Sequence, residues 1–383
     1  MSATLQSATQ SATPFKSSKN AVNSRQIAFF GAFVLPIYKL VETPSLLARF
    51  AKGDLLFPAL FHFLLQTALL IGLMYILSTS EKTLFERLEE RLGKWINLVY
   101  GFLVFYFLFS VILPLLDLEK FVYAVFYDTS PTLFSFAAFF LFCGFACTKG
   151  IKTIARVADL SLFLFLIPFL ALIVMSLTEA DFTNLFPLFQ SGKNVFSAFT
   201  RSTAHFSDVL LLLPLLGNLK YTKKDGKKIT AGYVAGGALT LLFLAVFYGV
   251  YSTIAGREHY AFSKIAQYFP VLAVVGRIDL ILVYLLCTVL FFFVATPLQY
   301  ISIFTAKCFR TEKQTLISAL LCALAFVFVL FCNKYYNFFY GLIAGKLYPV
   351  FWLCADLLPL SLFLLCMKRK EQKPSVEKNK EQL

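Results

Sequence analysis

The sequence predicts an all-α membrane protein that crosses the bilayer ten times. The 383-residue chain is 59% hydrophobic and only 15% charged, whereas a soluble domain carries about 25% charged residues. Its apolar runs are long enough to cross roughly 30 Å of hydrocarbon as helices. We therefore predict a ten-helix transmembrane domain over residues 26–367, with a disordered cytoplasmic tail at 1–25 and a basic cytoplasmic tail at 368–383.

The charges in the connecting segments predict how the ten spans are oriented. The predicted spans cover residues 26–48, 55–78, 95–116, 132–148, 157–177, 199–217, 231–254, 279–304, 315–332 and 348–367. With both termini in the cytoplasm, 24 of the 35 Lys and Arg residues lie in cytoplasmic segments and 10 in external ones, as the positive-inside rule requires. This asymmetry and contact with anionic lipid account for the net charge of +14, so no nucleic acid is expected as a partner.

The first span carries charge in its middle. Within the stretch 26–50, Lys39 and Glu42 lie between Pro36 and Pro44. Proline removes a backbone donor and clashes with the preceding turn, so we expect the helix to be interrupted here. In many transporters, a broken helix of this kind forms a binding site at the middle of the membrane.

The sixth span has the same character. Its outer half, residues 200–208, is polar and contains His205 and Asp208. In a five-plus-five inverted repeat, span six is the partner of span one. We predict that Lys39 pairs with Asp208 and leaves Glu42 for a ligand or a proton; the alternative is a local pair between Lys39 and Glu42, three residues apart.

The remaining polar residues of the spans have simpler interpretations. His62 is expected to be a packing residue, while Asp159 is expected to pair with the nearby Arg156 and Asp279 with Arg277. Asp356, in the last span, has no predicted partner.

A short amphipathic helix is predicted between spans two and three. Leu84, Leu88 and Leu92 recur every four residues, with Ser80 as the candidate N-cap and Gly93 as the stop signal. We expect this helix to lie at the cytoplasmic interface.

Small residues are expected to pack between helices. Gly232, Gly236 and Gly237 have the spacing of a helix–helix contact, and the eight cysteines lie in or beside apolar runs, where Cys packs as a small apolar residue. No phosphate-binding loop, nucleophile motif or metal-ligand spacing is evident. The sequence thus predicts no enzyme activity, no metal and no cofactor.

Several pieces of the chain resemble a known family by their order and spacing. They are Ser24–Gln26, Thr43–Ala48, Thr83–Glu86, Leu92–Trp95, Lys149–Arg156, Asn184–Leu188, Asp208–Pro214 and Gly276–Asp279. In this order they resemble the B-subunit of spore germinant receptors, a branch of the amino acid/polyamine/organocation transporter superfamily.

The resemblance implies a LeuT-like fold, a five-plus-five inverted repeat in which helices 1 and 6 are broken. It also implies a small germinant, commonly an amino acid, bound at the breaks, and assembly with an A-type subunit and a lipoprotein C-type subunit in the spore inner membrane. The candidate ligand-binding residues at the breaks are Tyr38, Lys39, Glu42, Thr43, His205 and Asp208.

This chain departs from the family at the first break. Members usually have a glycine-containing turn where this chain has Ile37, Tyr38 and Lys39. Lys39 either supplies the positive charge for a ligand carboxylate or fills the pocket.

Three functions follow from these observations. The first is a receptor subunit that senses a solute. The second is an amino acid permease that couples transport to protons through Asp208, Glu42 or His205. The third is a scaffold subunit whose pocket is closed by Lys39.

Overall fold

A computed structural model describes residues 22–40, 43–79, 82–126, 132–217, 220–258, 261, 265, 279–311, 314–342, 350 and 353–367. Within these ranges every regular element is helical, which confirms the all-α class. The predicted tail 368–383 lies outside the described residues, as does the predicted tail 1–25 except for residues 22–25.

The α-helices overlap the predicted spans but differ from several of them in length. They are α1 (Ser24–Leu40), α2 (Thr43–Ala51), α3 (Leu56–Ser78), α4 (Leu84–Leu92), α5 (Ile96–Phe126), α6 (Thr132–Thr148), α7 (Ile151–Leu177), α8 (Gly192–Ser202), α9 (Asp208–Leu216), α10 (Lys223–Tyr251), α11 (Asp279–Phe309), α12 (Gln314–Lys334), α13 (Tyr336–Gly341) and α14 (Leu358–Met367). A π-helical turn, Leu353–Leu357, leads into α14.

Six helices in the described part of the chain are long and apolar enough to cross a membrane, or seven if the bent pair at the start is one span. The chain is therefore a multi-pass membrane protein. Within that pair, the axis changes direction by 59° between α1 and the segment that begins at Thr43. The interruption predicted for the first span is observed.

The sixth predicted span is also interrupted. α8 ends at Ser202, a 3-10 turn covers Thr203–Phe206, and α9 begins at Asp208. Ser207, between the turn and α9, has φ −81° and ψ +44°, which is not a helical conformation. Both predicted breaks therefore occur, and each places a new helix start inside an apolar region.

The helices divide into a central one and peripheral ones. Of the 18 most apolar consecutive residues within Leu290–Phe309 of α11, 83% are buried inside the protein, compared with 28% for the corresponding residues of α7 and α12. α12 exposes large apolar side chains that recur every three or four residues, and these suit a lipid-facing surface: Leu316, Leu320, Leu324, Val327 and Phe331.

The amphipathic helix α4 is shorter than predicted. It begins at Leu84, and Thr83 caps it in a capping box with Glu86, so Ser80 is not the N-cap. A capping box requires Glu or Gln three residues after the cap, and this places the start at Thr83. The helix ends at Gly93, as predicted, where φ is +52°.

One of the two expected local ion pairs has a different outcome. Asp159 lies 3.8 Å from Arg25 rather than pairing with Arg156. Asp159 and Arg156 are three residues apart on α7, but the N-terminal end of α1 packs beside α7 and brings Arg25 to the same place. The predicted partner of Asp279, Arg277, lies outside the described residues.

The segment between α7 and α8 has local structure of its own. Asp181 caps a 3-10 turn at Phe182–Leu185, and Ser191 caps α8. Hydrogen bonds from the hydroxyl and the backbone N–H of Thr183 hold the pKa of Asp181 below its usual range. Most of the segment between α10 and α11 lies outside the described residues.

Candidate functional site

A buried ion pair joins the two helix breaks. The ammonium group of Lys39, next to the last residue of α1, donates to Oδ1 of Asp208, the first residue of α9. Both side chains are completely buried. The predicted pairing is therefore confirmed; Glu42, the alternative local partner, lies outside the described residues.

The helix ends favour these two charges. A cation is stabilised near the C-terminus of a helix and an anion near the N-terminus, because the backbone dipoles are aligned. Lys39 lies in the last turn of α1 and Asp208 in the first turn of α9. The interruption of two helices thus provides the polar surroundings that an isolated charge in hydrocarbon lacks.

Neighbouring groups complete the hydrogen bonding of the pair. Tyr233 of α10 donates its hydroxyl to Oδ2 of Asp208 at 2.7 Å, and the Lys39 ammonium also donates to the Leu35 carbonyl at 3.2 Å. The rings of Phe206 and Phe63 lie 5.2 and 5.6 Å from the ammonium, within the range of cation–π attraction.

Glycines on α10 bring Tyr233 close enough to take part. A Cβ atom on Gly232 would lie 2.3 Å from the carbonyl oxygen of Ala28, and one on Gly236 would lie 2.8 Å from that of Gly31. Only glycine permits so close an approach of two backbones. The predicted packing role of these glycines is confirmed, and its consequence is that α10 delivers a hydroxyl to the ion pair.

Tyr38 is held by α11. Its hydroxyl donates to the carbonyls of Phe292 and Phe293, at 3.1 and 3.3 Å, and its ring stacks on that of Phe293 at 3.9 Å. This predicted ligand-binding residue therefore contacts protein, and the contact fixes the C-terminal end of α1 to the central helix.

The two histidines near the pair differ. His62 is fully buried between the rings of Phe199 and Phe206 and shares hydrogen bonds with the Phe199 carbonyl and the Ser202 hydroxyl. These contacts agree with the packing role predicted for it. His205, in the 3-10 turn before α9, is only partly buried.

The start of α2 has one polar group without a partner. Thr43 is fully buried, and its hydroxyl has no hydrogen-bond partner in the described structure. An unpaired buried hydroxyl costs about 1–3 kcal/mol, so a polar ligand or water would stabilise it. Glu42, the neighbouring predicted site residue, lies outside the described residues.

A family model decides what kind of protein carries this arrangement. A model described as "Spore germination protein" matches residues 59–337, well over half of the chain. The chain belongs to the spore germination protein family. No curated protein matches it. The family is permease-like, and its members are generally transporter-like rather than enzymes.

In this spore germination protein, the family match includes only one half of the ion pair. Asp208 lies within residues 59–337, whereas Lys39 and the whole bent first span lie before them. The charge that neutralises Asp208 therefore comes from the part of the chain outside the match.

The prediction of the site from sequence missed Gln66. This fully buried amide of α3 contacts both Asp356 and the backbone of α9. Its signal was present, because Gln66 is a polar residue in the middle of an apolar span, and such residues are rare and mostly functional. Asp356, which had no predicted partner, thus has one.

Proposed function

We propose that this chain is a B-type subunit of a spore germinant receptor, which senses a small solute and passes a conformational change to partner subunits. Family membership supports the germination role, and the buried ion pair between Lys39 and Asp208 carries the sensing role. Because that pair ties two interrupted helices together, a solute that competes for either charge changes how the two helices are held.

We assign the LeuT-like architecture to the whole transmembrane domain, with ten spans in a five-plus-five inverted repeat. The support is the correspondence between the interruptions: the first span breaks between α1 and α2, and the sixth between α8 and α9. In such folds the N-termini of half-helices face anionic groups of the substrate.

The solute of this proposal is an amino acid whose carboxylate lies at the start of α2. The start of α9 already has a carboxylate, that of Asp208, whereas the hydroxyl of Thr43 at the start of α2 has no partner in the described structure. Within the described residues Lys39 makes two hydrogen bonds, and its ammonium has three donors, so we assign the third donor to the ligand. Tyr38, Glu42 and His205 are the other residues we assign to this pocket.

The proposed partners and location follow from the family. The subunit would assemble with an A-type subunit and a lipoprotein C-type subunit in the spore inner membrane. The excess of Lys and Arg in alternate connecting segments supports cytoplasmic termini.

The test is a thermal unfolding screen of the purified full chain in lipid nanodiscs against the natural amino acids. A ligand that binds the folded state alone stabilises it by RT ln(1 + [L]/Kd), about 2.7 kcal/mol at a hundredfold excess over Kd. We expect a saturable rise in the unfolding midpoint with one amino acid, which Lys39→Met abolishes. The matched control is Lys307→Met, because Lys307 also lies over aromatic rings and beside a carboxylate, that of Glu89; it should retain the rise.

The rival functions predict different results for the same purified chain. Accumulation of the labelled amino acid in proteoliposomes, driven by a proton gradient, would identify a proton-coupled permease instead. If no amino acid stabilises the chain while it still co-purifies with A-type and C-type subunits, the scaffold function is correct and the sensing proposal fails.

A further inference from the structure

A buried amide links the π-helical turn before α14 to the start of α9. The Nε2 group of Gln66 donates to Oδ1 of Asp356 at 2.9 Å, and its Oε1 accepts from the backbone N–H of Val209 at 3.1 Å. The first N–H groups of a helix have no acceptor within the helix. Gln66 supplies one of these missing acceptors to α9, and its other end holds a carboxylate.

The partners of Gln66 force the orientation of its amide. The backbone N–H of Val209 can only donate, so the carbonyl end must face it. The NH₂ end then faces Asp356, which must accept. An ionised carboxylate meets this requirement with both oxygens, and a hydrogen bond to an ionised group is roughly twice as strong as a neutral one.

Asp356 has the surroundings of a site that exchanges protons. It lies in the π-helical turn Leu353–Leu357, and such turns are frequent at functional sites. It is only partly buried. Among the ion pairs of the described residues none involves Asp356, and Gln66 is a neutral partner.

Other titratable groups surround this turn. Tyr106 of α5 lies near Asp356, Asp208 and Cys354. The 3-10 turn that carries His205 packs against the π-helical turn, as does α9. Asp208 is already neutralised by Lys39, so Asp356 is the carboxylate of this group that lacks a cation within the described structure.

We propose that Asp356 is a proton-binding site and that Gln66 transmits its charge to the start of α9. A proton from water adds to one carboxylate oxygen and forms an O–H bond, with no other bond broken. On Oδ1 it leaves a hydroxyl oxygen, which accepts more weakly from the amide of Gln66 than a carboxylate oxygen does. On Oδ2 it removes the charge that strengthens the bond to Gln66.

In both cases the bond from Gln66 to Asp356 weakens. Because hydrogen bonds in a chain polarise one another, the bond between Gln66 and Val209 weakens with it, and protonation loosens the first turn of α9. This proposal needs no solute and does not depend on the proposed receptor function. The proton site can therefore be found even if the solute screen fails, so failure of one proposal is distinguishable from failure of the other.

The test measures the carboxyl group and α9 independently on the full chain in nanodiscs. Difference infrared spectroscopy follows the C=O stretch of the protonated acid as the pH is lowered. Hydrogen exchange, corrected for its intrinsic pH dependence, follows the peptide that contains Val209. In the wild type we expect both signals to change over one pH interval, with a loss of about fivefold in protection, the value of one hydrogen bond of about 1 kcal/mol.

Variants test the two parts of the proposal separately, proton binding at Asp356 and transmission through Gln66. Asp356→Asn should remove the carboxyl band and make exchange at Val209 independent of pH. Gln66→Leu should keep the band but lose the pH dependence of exchange. Asp159→Asn, the control, removes a partly buried carboxylate of another helix and should change neither signal. If Asp356→Asn does not fold, Asp356→Glu should keep both transitions at a shifted pH.

Three results would overturn the proposal. The first is a carboxyl band that survives in Asp356→Asn, because the proton would then bind elsewhere. The second is an exchange transition that survives in Gln66→Leu, because the amide would then not be the link. The third is a band that disappears when sodium or potassium chloride is added at constant pH, because the carboxylate would then be a cation site.

Discussion

The ion pair between Lys39 and Asp208 predicts a large coupling energy. Lys39→Met removes the cation and leaves the carboxylate of Asp208 buried without it. Asp208→Asn removes the anion but keeps an oxygen for the Tyr233 hydroxyl, so it tests the charge alone. Breaking a buried pair by removing one partner costs about 3–5 kcal/mol, because an uncompensated charge remains in the interior.

The double variant should cost much less than the sum of the two single variants. With both charges removed, the remaining losses are the Lys39 hydrogen bond to the Leu35 carbonyl, about 1 kcal/mol, and the cation–π attraction to two rings, about 0.5–2 kcal/mol. The single variants together cost about 6–10 kcal/mol, so we expect a coupling energy of at least about 3 kcal/mol in the double-mutant cycle.

The free energies of unfolding would come from reversible denaturation by SDS in mixed micelles. The control cycle uses the exposed pair of Lys82 and Glu90, which are joined at 2.6 Å but are about half exposed. Exposed pairs contribute about 0.2–1 kcal/mol. If the coupling between Lys39 and Asp208 is no larger than in this control, the pair does not hold the breaks together and the reasoning about the site is wrong.

Two further predictions concern the fold around the site, and each uses the same unfolding measurement. Gly232→Ala should destabilise the chain by about 1–3 kcal/mol, because overpacking forces backbones apart and the new Cβ would meet the carbonyl of Ala28. The control is Gly101→Ala, which should not destabilise the chain, because nothing lies within 4 Å of the added atom. Equal effects of the two variants would contradict the close packing of α1 on α10. Thr83→Ala should cost about 1 kcal/mol through the lost cap of α4, whereas Ser80→Ala should cost nothing, and the reverse order would restore the cap first predicted from the sequence.

Most of the fold could be predicted from the sequence because the bilayer restricts the choice. A long apolar run in hydrocarbon must be helical, since no water is available to its backbone groups. The first break was predictable because Pro36 and Pro44 flank charges that cannot face lipid, and the second because the polar residues 200–208 interrupt an apolar span. The cap of α4 was misplaced because Thr83 and Ser80 are both good N-caps, and only Glu86, three residues after Thr83, distinguishes them.

The site could be predicted only in part, because its hydrogen bonding is nonlocal. The pairing of Lys39 with Asp208 could be predicted, because a buried charge requires a partner of opposite charge. Tyr233 could not be identified in this way, because a tyrosine in a membrane helix has many possible partners, and its contact depends on glycines that let α10 approach α1. The amide of Gln66 bridges two helices that are distant in sequence, which no local pattern encodes.

The position of α9 explains how a change at the breaks can reach other parts of the molecule. All nine of its residues are buried, so it moves as a short rod of roughly 14 Å. Its first turn is held by Lys39 and by Gln66. Its last turn is followed by Gly217, whose carbonyl accepts from the backbone N–H of Phe85 at the start of α4.

Any ligand or proton that alters the first turn of α9 therefore acts on a helix that cannot bend into solvent. The displacement must be taken up at the other end, where a Cβ on Gly217 would lie 1.9 Å from the ring of Phe85. Contact this close leaves little room for α9 to move without moving α4. The ion pair at the breaks and the amphipathic helix are thus connected through the two ends of α9.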